Sequence, residues 1–208
     1  MSALLEIVNA PQPVDHQYDF REDYVTGWTW SWEKHLEPLA GKENIRLLEI
    51  GSFEGRSAIW FLDHIFTHPS SSIVCLDCFE SGVEDAFDRN IAASGRAHRI
   101  TKVKETSDSY LGRITNSGLA FDLIYVDGSH EAVHVLFDSM ASWSLLKPGG
   151  IMILDDYGWE PNYAPHHRPR MAIDLFLEAR GDDLEVIHHD YQVIVQKNLP
   201  APVPRRQD

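Results

Sequence analysis

The feature that most constrains the fold is a strand, a turn and a helix start within residues 47–57. An apolar run over 47–50 ends at Gly51, a second glycine follows at Gly55, and an apolar-periodic segment begins after Ser57. Glycine lets the backbone turn sharply and lets a ligand approach where a Cβ would block it. In α/β proteins such a turn lies at the carboxyl end of a strand, where nucleotide-like ligands bind. The stretch therefore predicts an α/β protein with a ligand site at this turn.

The glycine spacing distinguishes between kinds of nucleotide-like ligand. The dinucleotide fingerprint is G-x-G-x-x-G, whereas this chain has E-x-G-x-x-x-G, with Glu49 inside the strand end. A carboxylate in that position repels a diphosphate and suits a cationic ligand. The pattern therefore disfavours a nicotinamide-dependent dehydrogenase.

Apolar strand patterns alternate with helical patterns along the rest of the chain. The strands are predicted at 47–50, 73–76, 100–103, 123–126, 151–154, 184–188 and 193–195, and the helices at 55–68, 86–93, 131–146 and 171–179, with another after Ser107. This alternation predicts a parallel sheet with helices on both faces. The last two strands are separated by little more than 190–192, which predicts an antiparallel hairpin at one edge. The Lys-Pro-Gly-Gly run over 147–150 is predicted as a turn.

Acidic residues follow nearly every predicted parallel strand. One acid after a strand commonly caps the next helix, but four strand ends carry the five carboxylates Glu49, Asp77, Asp127, Asp155 and Asp156. The carboxyl ends of parallel strands share one edge of a sheet, so these groups converge on one crevice. Their charges repel unless a cation binds there. Three oxygen donors from two strands suit a hard divalent cation.

These motifs resemble the class I S-adenosylmethionine (SAM)-dependent methyltransferases. The acids after strands four and five resemble those of metal-dependent O-methyltransferases, of the catechol and caffeoyl-CoA type and of the antibiotic-sugar type. The resemblance covers roughly residues 22–197. It implies an α/β, Rossmann-like, seven-stranded and mostly parallel sheet with the last strand antiparallel. Two departures are Asp155-Asp156 where the catechol type commonly has Asp-Asn, and His130 where it has lysine.

The resemblance also implies roles for individual residues. SAM is the implied cofactor and Mg²⁺ the implied metal, with Mn²⁺ or Ca²⁺ as alternatives; Asp127, Asp155 and Asp156 are the implied metal ligands. His130 or Asp127 is expected to accept the proton of the acceptor hydroxyl, and His130 as a cofactor contact is the alternative. The expected cofactor-binding residues are Glu49, Gly51, Ser52, Gly55, Ser57, Asp77, Ser107, Asp127 and His130.

The expected function is Mg²⁺-dependent transfer of the SAM methyl group to a hydroxyl of a small molecule, namely a phenol, a sugar or a natural-product intermediate. One alternative is a metal-independent N- or carboxyl-methyltransferase. Another is a relative that binds SAM or metal without transferring a methyl group.

Composition limits the partners. The net charge is −14, with 32 acidic against 18 basic residues, which opposes nucleic acid and anionic membranes as partners. Cys75 and Cys78 are expected to be small core residues rather than a disulfide. With no signal peptide or membrane-length apolar run, we expect a cytoplasmic protein. The expected partner is a small hydroxylated acceptor, and the resemblance allows a homodimer.

The expected domain organisation is an N-terminal arm or lid with a short helix over 1–44, a SAM-binding methyltransferase domain over 45–197, and a disordered tail over 198–208. The tryptophans Trp28, Trp30 and Trp32 support two hypotheses: an anchor on the core, or an aromatic wall beside the ligands. The aromatic loop over 157–168 is expected to form a substrate wall. The paired histidines at 166–167 and 188–189 have poor spacing for a second metal site.

Overall fold

One seven-stranded sheet organises the chain. The protein is described by a computed structural model over residues 17–80 and 82–200; residues 1–16 of the expected arm and 201–208 of the expected tail lie outside this range. The strand order is β3-β2-β1-β4-β5-β7-β6. The strands are β1 (Arg46–Ile50), β2 (Ser72–Asp77), β3 (Ile100–Lys104), β4 (Phe121–Val126), β5 (Leu146–Leu154), β6 (Leu184–His189) and β7 (Val193–Lys197).

Six α-helices flank this sheet in the described part of the chain. They are α1 (Thr29–Leu36), α2 (Arg56–His64), α3 (Glu84–Ala93), α4 (Ser107–Ile114), α5 (Ala132–Trp143) and α6 (Pro169–Arg180). Short 3₁₀ helices occupy Glu37–Leu39, Ala97–Arg99, Pro165–His167 and Gly181–Asp183. None of the helices within these ranges is long and apolar enough to cross a membrane.

Pairing within the sheet matches the predicted Rossmann-like arrangement. The pairs β1–β2, β1–β4, β2–β3 and β4–β5 are parallel, whereas β7 pairs antiparallel with both β5 and β6. The predicted seven-stranded fold, including its antiparallel edge hairpin, is confirmed. The chain winds outward on both sides of the β1–β4 pair, and ligands bind at such a switch point outside the carboxyl ends of the strands.

The core lies on both faces of the sheet because its central strands are covered twice. Leu47 and Leu48 are neighbours in β1 and both are fully buried, but they pack in different clusters. One cluster contains Phe61 of α2 and Trp32 of α1, and the other contains Phe176 of α6. Continuous apolar runs are what a doubly covered parallel strand requires.

Three predicted boundaries were wrong. Helix α5 ends at Trp143 rather than residue 146, where β5 begins. The run over 147–150, predicted as a turn, lies inside β5, where the pairing with β4 shifts register between Phe121 and Leu123 and where Gly149 has φ +77°. The pairing with β4 passes from Leu146 to Ile151, so the run forms a bulge within the strand rather than a turn before it. Helix α2 ends at His64 rather than residue 68, because the fully buried Phe66 donates its backbone N–H to the Phe61 carbonyl at 2.7 Å and closes the helix.

Candidate active site

The turn after β1 is held against the turn after β4. Gly51 has φ +90°, and a Cβ built there would lie 2.0 Å from the carbonyl oxygen of Asp127. The backbone N–H of Asp127 donates to the Ile50 carbonyl at 2.8 Å, and the N–H of Gly51 donates to the Leu76 carbonyl at the same distance. Glycine is required at position 51 because the backbone conformation and the neighbouring chain both exclude a side chain. The predicted glycine turn is therefore the point where β1, β2 and β4 meet.

Asp77, at the end of β2, fixes the second turn. Its Oδ2 accepts a hydrogen bond from the backbone N–H of Phe53 at 2.8 Å, and its Oδ1 accepts one from Phe79 at 2.6 Å. A carboxylate oxygen has two lone pairs, so each oxygen keeps capacity for a ligand hydroxyl. Asp77 is half-buried and lines both cavities described below.

Glu49 is enclosed beneath the turn. It is fully buried, and its Oε1 accepts a hydrogen bond from Ser57 Oγ at 2.6 Å. Its Oε2 and the buried Ser52 Oγ have no hydrogen-bond partner. Burial raises the pKa of Glu49, since desolvation disfavours the charged form. The polar atoms beneath the turn are thus left with unused hydrogen-bonding capacity, which in protein interiors is rare.

A cavity of about 330 Å³ opens beside this turn. Ser107 and Asp138 lie on its wall; Asp138 is 2% exposed, and its Oδ1 has no partner. Burial raises the pKa of Asp138 to about 6. The remaining lining residues come from the ends of β1 and β2, from the segments that follow β1, β2, β3 and β4, and from helices α4 and α5: Ile50, Gly51, Leu76, Asp77, Cys78, Glu105, Thr106, Asp108, Gly128, Ser129 and His134.

A second cavity, of about 800 Å³, adjoins the first. The two share Gly51, Asp77 and Gly128. The second contains the predicted acids of strands four and five together with His130, and it is bounded by aromatic side chains; its lining includes Asp127, His130, Asp155, Asp156, Trp28, Trp159 and Tyr191. A ligand in the smaller cavity therefore has direct access to one in the larger.

Asp127 and Asp155 converge on a single hydroxyl group. Tyr125 Oη contacts Asp127 Oδ2 at 2.8 Å and also contacts Asp155 Oδ2. A phenol has one proton to donate, so it hydrogen-bonds as a donor to one carboxylate at a time. Burial and the neighbouring carboxylates raise the pKa of Asp127 well above its usual range and that of Asp155 to about 6. This is the electrostatic strain that a cation relieves.

Asp156 is directed to other partners. It has φ +61°, a conformation uncommon outside glycine, and its Oδ2 lies 2.8 Å from His130 Nε2. Tyr191 Oη donates to Asp156 Oδ1 at 2.9 Å. The contact with Asp156 raises the pKa of His130, and the imidazole stacks on Trp159 with ring centroids 4.2 Å apart.

The three predicted metal ligands line the same cavity without forming a chelating cluster. Across residues 17–80 and 82–200, no group of three or more His, Cys, Asp or Glu side chains is arranged to hold a metal ion. The donor set nevertheless fits a hard divalent cation, since all three are carboxylates and two of them already converge on Tyr125. Asp127 and Asp155 are brought together, and Asp156 pairs with His130 instead.

The three tryptophans divide between the two hypotheses. Trp32 is fully buried in the core and donates its Nε1–H to Gln192 Oε1 at 2.8 Å. Trp28 stacks on Tyr191, with centroids 4.4 Å apart and planes 8° from parallel, and lines the larger cavity. Trp30 is 51% exposed. One tryptophan is thus an anchor and another an aromatic wall.

The predicted site residues differ in their placement. Gly51, Asp77, Ser107, Asp127, His130, Asp155 and Asp156 line the two cavities, whereas Glu49, Ser52, Gly55 and Ser57 lie beneath the turn. Sequence reasoning missed Tyr125 and Gln192, which contact the acids. For Tyr125 a signal existed: it lies two residues before Asp127 in a strand, so both side chains point to the same face. Gln192 follows no such pattern.

The parallel sheet, the glycine turn and the two joined cavities define a class I methyltransferase architecture. A family model described as "Methyltransferase domain" matches residues 48–157, just over half of the 208-residue chain. The chain belongs to this methyltransferase family, and the resemblance to class I SAM-dependent methyltransferases is confirmed.

Individual relatives agree with this assignment. The chain is 27% identical over 154 residues to "O-methyltransferase hkm8" of Aspergillus hancockii, an alignment that covers 73% of this chain and 52% of that protein. The chain thus spans about half the length of this curated relative.

Solved structures share the fold. An O-methyltransferase from Bacillus cereus in complex with SAH superposes with a TM-score of 0.67 at 17% identity, covering 86% of this chain and 84% of that one. MycE, a methyltransferase of the mycinamycin biosynthetic pathway in complex with Mg, SAH and mycinamycin VI, superposes with a TM-score of 0.62 at 19% identity, covering 88% and 53%.

Proposed function

We propose that this protein transfers the methyl group of SAM to a hydroxyl of a small molecule. The observation that carries the proposal is the junction of the two cavities at Gly51, Asp77 and Gly128. A methyl donor in the smaller cavity and a methyl acceptor in the larger one would meet at this boundary. Holding the two reactants side by side favours transfer by positioning. The family assignment and the name of the fungal relative, an O-methyltransferase, support the same reaction.

The residues of the smaller cavity fit SAM. The two oxygens of Asp77 can accept hydrogen bonds from ribose hydroxyls while they retain their backbone donors. The unpartnered Ser52 Oγ beneath the turn offers a hydrogen-bonding group to the amino-acid end. Helix α2 begins beside it at Arg56, and its N-terminus favours a carboxylate. SAM supplies a methyl group bonded to a sulfonium, which is an intrinsically reactive electrophile.

Asp127, Asp155 and Asp156 would hold a divalent cation in the larger cavity, with Mg²⁺ the expected ion. Such a cation, when bound, lowers the pKa of a hydroxyl that it contacts. His130 is the neighbouring proton acceptor, because its imidazole lies in the same cavity and its ring is held by Trp159 and Asp156. Asp127 is the alternative acceptor. The aromatic side chains of the cavity restrict water around the acceptor.

The direct test combines cofactor binding with methyl transfer. Purified protein is titrated with SAH in a calorimeter and then incubated with SAM and a panel of phenols and sugars, with and without chelator. We expect SAH binding that Asp77→Ala abolishes and that Asp85→Ala, an exposed acid on α3, leaves unchanged. We expect transfer that chelator and Asp127→Asn both suppress. Absence of SAH binding would overturn the proposal, and transfer indifferent to chelator and to Asp127→Asn would remove the metal from it.

The second candidate is metal-independent methyl transfer to nitrogen. It is favoured by the contacts that already occupy the acids, since Tyr125 contacts two of them and His130 the third. In that case the carboxylates would steer a cationic amine. An amine acceptor methylated equally with and without chelator would support this candidate. SAH binding with no product across both acceptor classes would instead support a relative that binds SAM without transferring the methyl group.

A further inference from the structure

The larger cavity has flat aromatic walls that are held in place by stacking. Trp28 and Tyr191 form one stacked pair, and His130 and Trp159 form another. Phe53, 39% exposed, also lines the cavity. Large apolar side chains that remain partly exposed around a cavity mark a place where an apolar ligand surface is buried. Flat faces of this kind complement a ring.

The charge of the same cavity is negative throughout. Its lining contains six acids, Asp23, Asp77, Glu80, Asp127, Asp155 and Asp156, and neither lysine nor arginine among the residues that the structure describes. Three groups offset part of this charge: Arg56, which pairs with Asp23, His130 when it is protonated, and a divalent cation when one is bound. They do not offset all six negative charges, so the cavity remains negative.

Two arginines that contact lining residues of the cavity, Arg21 against Phe53 and Arg56 against Asp23, are paired with acids. Arg56 donates to Asp23 Oδ2 at 2.8 Å, and Arg21 pairs with the buried Glu54. Recognition of a phosphate or carboxylate needs an available guanidinium, ammonium or cluster of backbone donors. The described lining of the larger cavity therefore contains no lysine or arginine to compensate an anionic substituent, and its acids repel one.

Building on the proposed function, we infer that the methyl acceptor is a hydroxylated ring compound that is neutral or carries a protonated amine, and that lacks carboxylate and phosphate groups. This class excludes coenzyme A thioesters and sugar nucleotides. An aromatic ring and a sugar ring share this chemistry, because both present an apolar face to an aromatic wall. The charge preference applies to either ring.

The test uses two matched series of ligands with the full-length protein. The first is dopamine, catechol and protocatechuate, and the second is glucosamine, glucose and glucuronate; within each series the charge is positive, neutral or negative. Binding is measured by calorimetry in the presence of SAH and Mg²⁺, and turnover by SAH release. In the series that binds, we expect the anion to bind at least about tenfold more weakly than the neutral and cationic members.

Two variants identify the cause. Glu80→Lys, at the rim of the cavity, should reduce the discrimination against the anion, whereas Glu178→Lys on α6 should not. Trp159→Leu should weaken binding of all three ligands in the series that binds, by at least about fivefold. Trp30→Leu, at an exposed tryptophan outside the cavity lining, should not.

Binding and turnover separate the inference from the proposed function. An anion that binds as tightly as its neutral and cationic partners, or the failure of both series to bind, would overturn the inference. The expected binding order without methyl transfer would retain the ring and charge preference and reject the proposed reaction.

Discussion

The indole Nε1 of Trp32 donates a hydrogen bond of 2.8 Å to the side-chain oxygen of Gln192. The amide nitrogen of Gln192 donates in turn to Asp155 Oδ2 at 2.8 Å, and Asp155 contacts the Tyr125 hydroxyl that also reaches Asp127. A continuous buried network thus joins helix α1 to the acids of the larger cavity. Networks of this kind fix side-chain orientation only while every member is satisfied.

Gln192→Leu should therefore destabilise the protein and impair the site together. The substitution leaves the buried Trp32 Nε1 without an acceptor and removes a donor from Asp155, a loss of about 1–3 kcal/mol in the free energy of unfolding. Gln196→Leu, which loses one hydrogen bond to the Gly149 carbonyl in the same strand region, is the control. Urea denaturation and methyl transfer measure both effects. Equal activity losses in the two variants would argue against a role of Gln192 in positioning Asp155.

Gly51→Ala should abolish cofactor binding. The new Cβ would lie 2.0 Å from the Asp127 carbonyl oxygen and 2.5 Å from its carbon, so the turns after β1 and β4 must separate. Gly95→Ala is a matched control, because Gly95 also has positive φ (+69°) but nothing lies within 4 Å of the position that a Cβ would occupy there. It should cost only the strain of the left-handed backbone, about 1–2 kcal/mol. SAH calorimetry and denaturation check this. Unchanged SAH binding in Gly51→Ala would show that the turns can move apart without consequence.

Asp138 should make stability fall as pH rises through the mildly acidic range. Its pKa is raised to about 6 in the folded protein by burial, from an ordinary value of 3.8. Between these values the folded state binds more protons than the unfolded state, so the free energy of unfolding decreases with rising pH. The stabilisation is fully present below about pH 4 and is lost above about pH 6. A shift of this size corresponds to about 3 kcal/mol at most.

Asp138→Asn tests this assignment because the amide cannot titrate. The difference in unfolding free energy between pH 5 and pH 8 should change by about 1 kcal/mol relative to the wild type, in favour of the variant at pH 8, because part of the contribution of Asp138 is already lost at pH 5. Asp85→Asn, at an exposed position of α3, should leave the wild-type pH profile intact. Parallel profiles for the wild type and Asp138→Asn would refute the assignment.

Much of the site was predictable because it follows from strand direction. Parallel strands bring their carboxyl ends to one edge, so the convergence of Asp77, Asp127 and Asp155 could be inferred from their positions after apolar runs. Helical spacing also separates Trp30 from Trp28 and Trp32, which are four residues apart and share a face. It does not indicate that Trp28 lines the cavity while Trp32 lies in the core.

The remaining contacts could not be predicted because they depend on tertiary detail. The pairing of Asp156 with His130 requires the positive φ of Asp156, which no local pattern specifies for an aspartate. The burial of Glu54 to 1% exposure depends on Arg21, thirty-three residues earlier in the chain. A charged residue in a turn is ordinarily solvated, so no pattern in the sequence indicates that Glu54 is buried.

The last prediction concerns this Arg21–Glu54 pair, which fastens residues 17–28 to the start of α2. Glu54 Oε2 accepts the backbone N–H of Arg21 at 2.8 Å, and Oε1 pairs with the guanidinium. Arg21→Ala leaves the buried carboxylate with the backbone donor alone. Because the Arg21 side chain is 53% exposed, solvent screening reduces the expected loss in the free energy of unfolding. Asp23 and Tyr24, which line the larger cavity, follow directly.

Loosening this segment should therefore raise KM for the acceptor more than it lowers kcat, and should accelerate chymotryptic cleavage near Tyr24. Arg89→Ala is the control, because Arg89 pairs with Asp19 in the same region through side chains that are both more than half exposed, and surface pairs of this kind contribute at most about 1 kcal/mol. If Arg21→Ala and Arg89→Ala cleave and turn over alike, the buried Glu54 does not hold the segment in place. If Arg21→Ala instead raises KM more than Arg89→Ala does, residues 17–28 form part of the wall of the acceptor cavity. The reason is that weakening the attachment of a segment changes acceptor binding when that segment bounds the cavity.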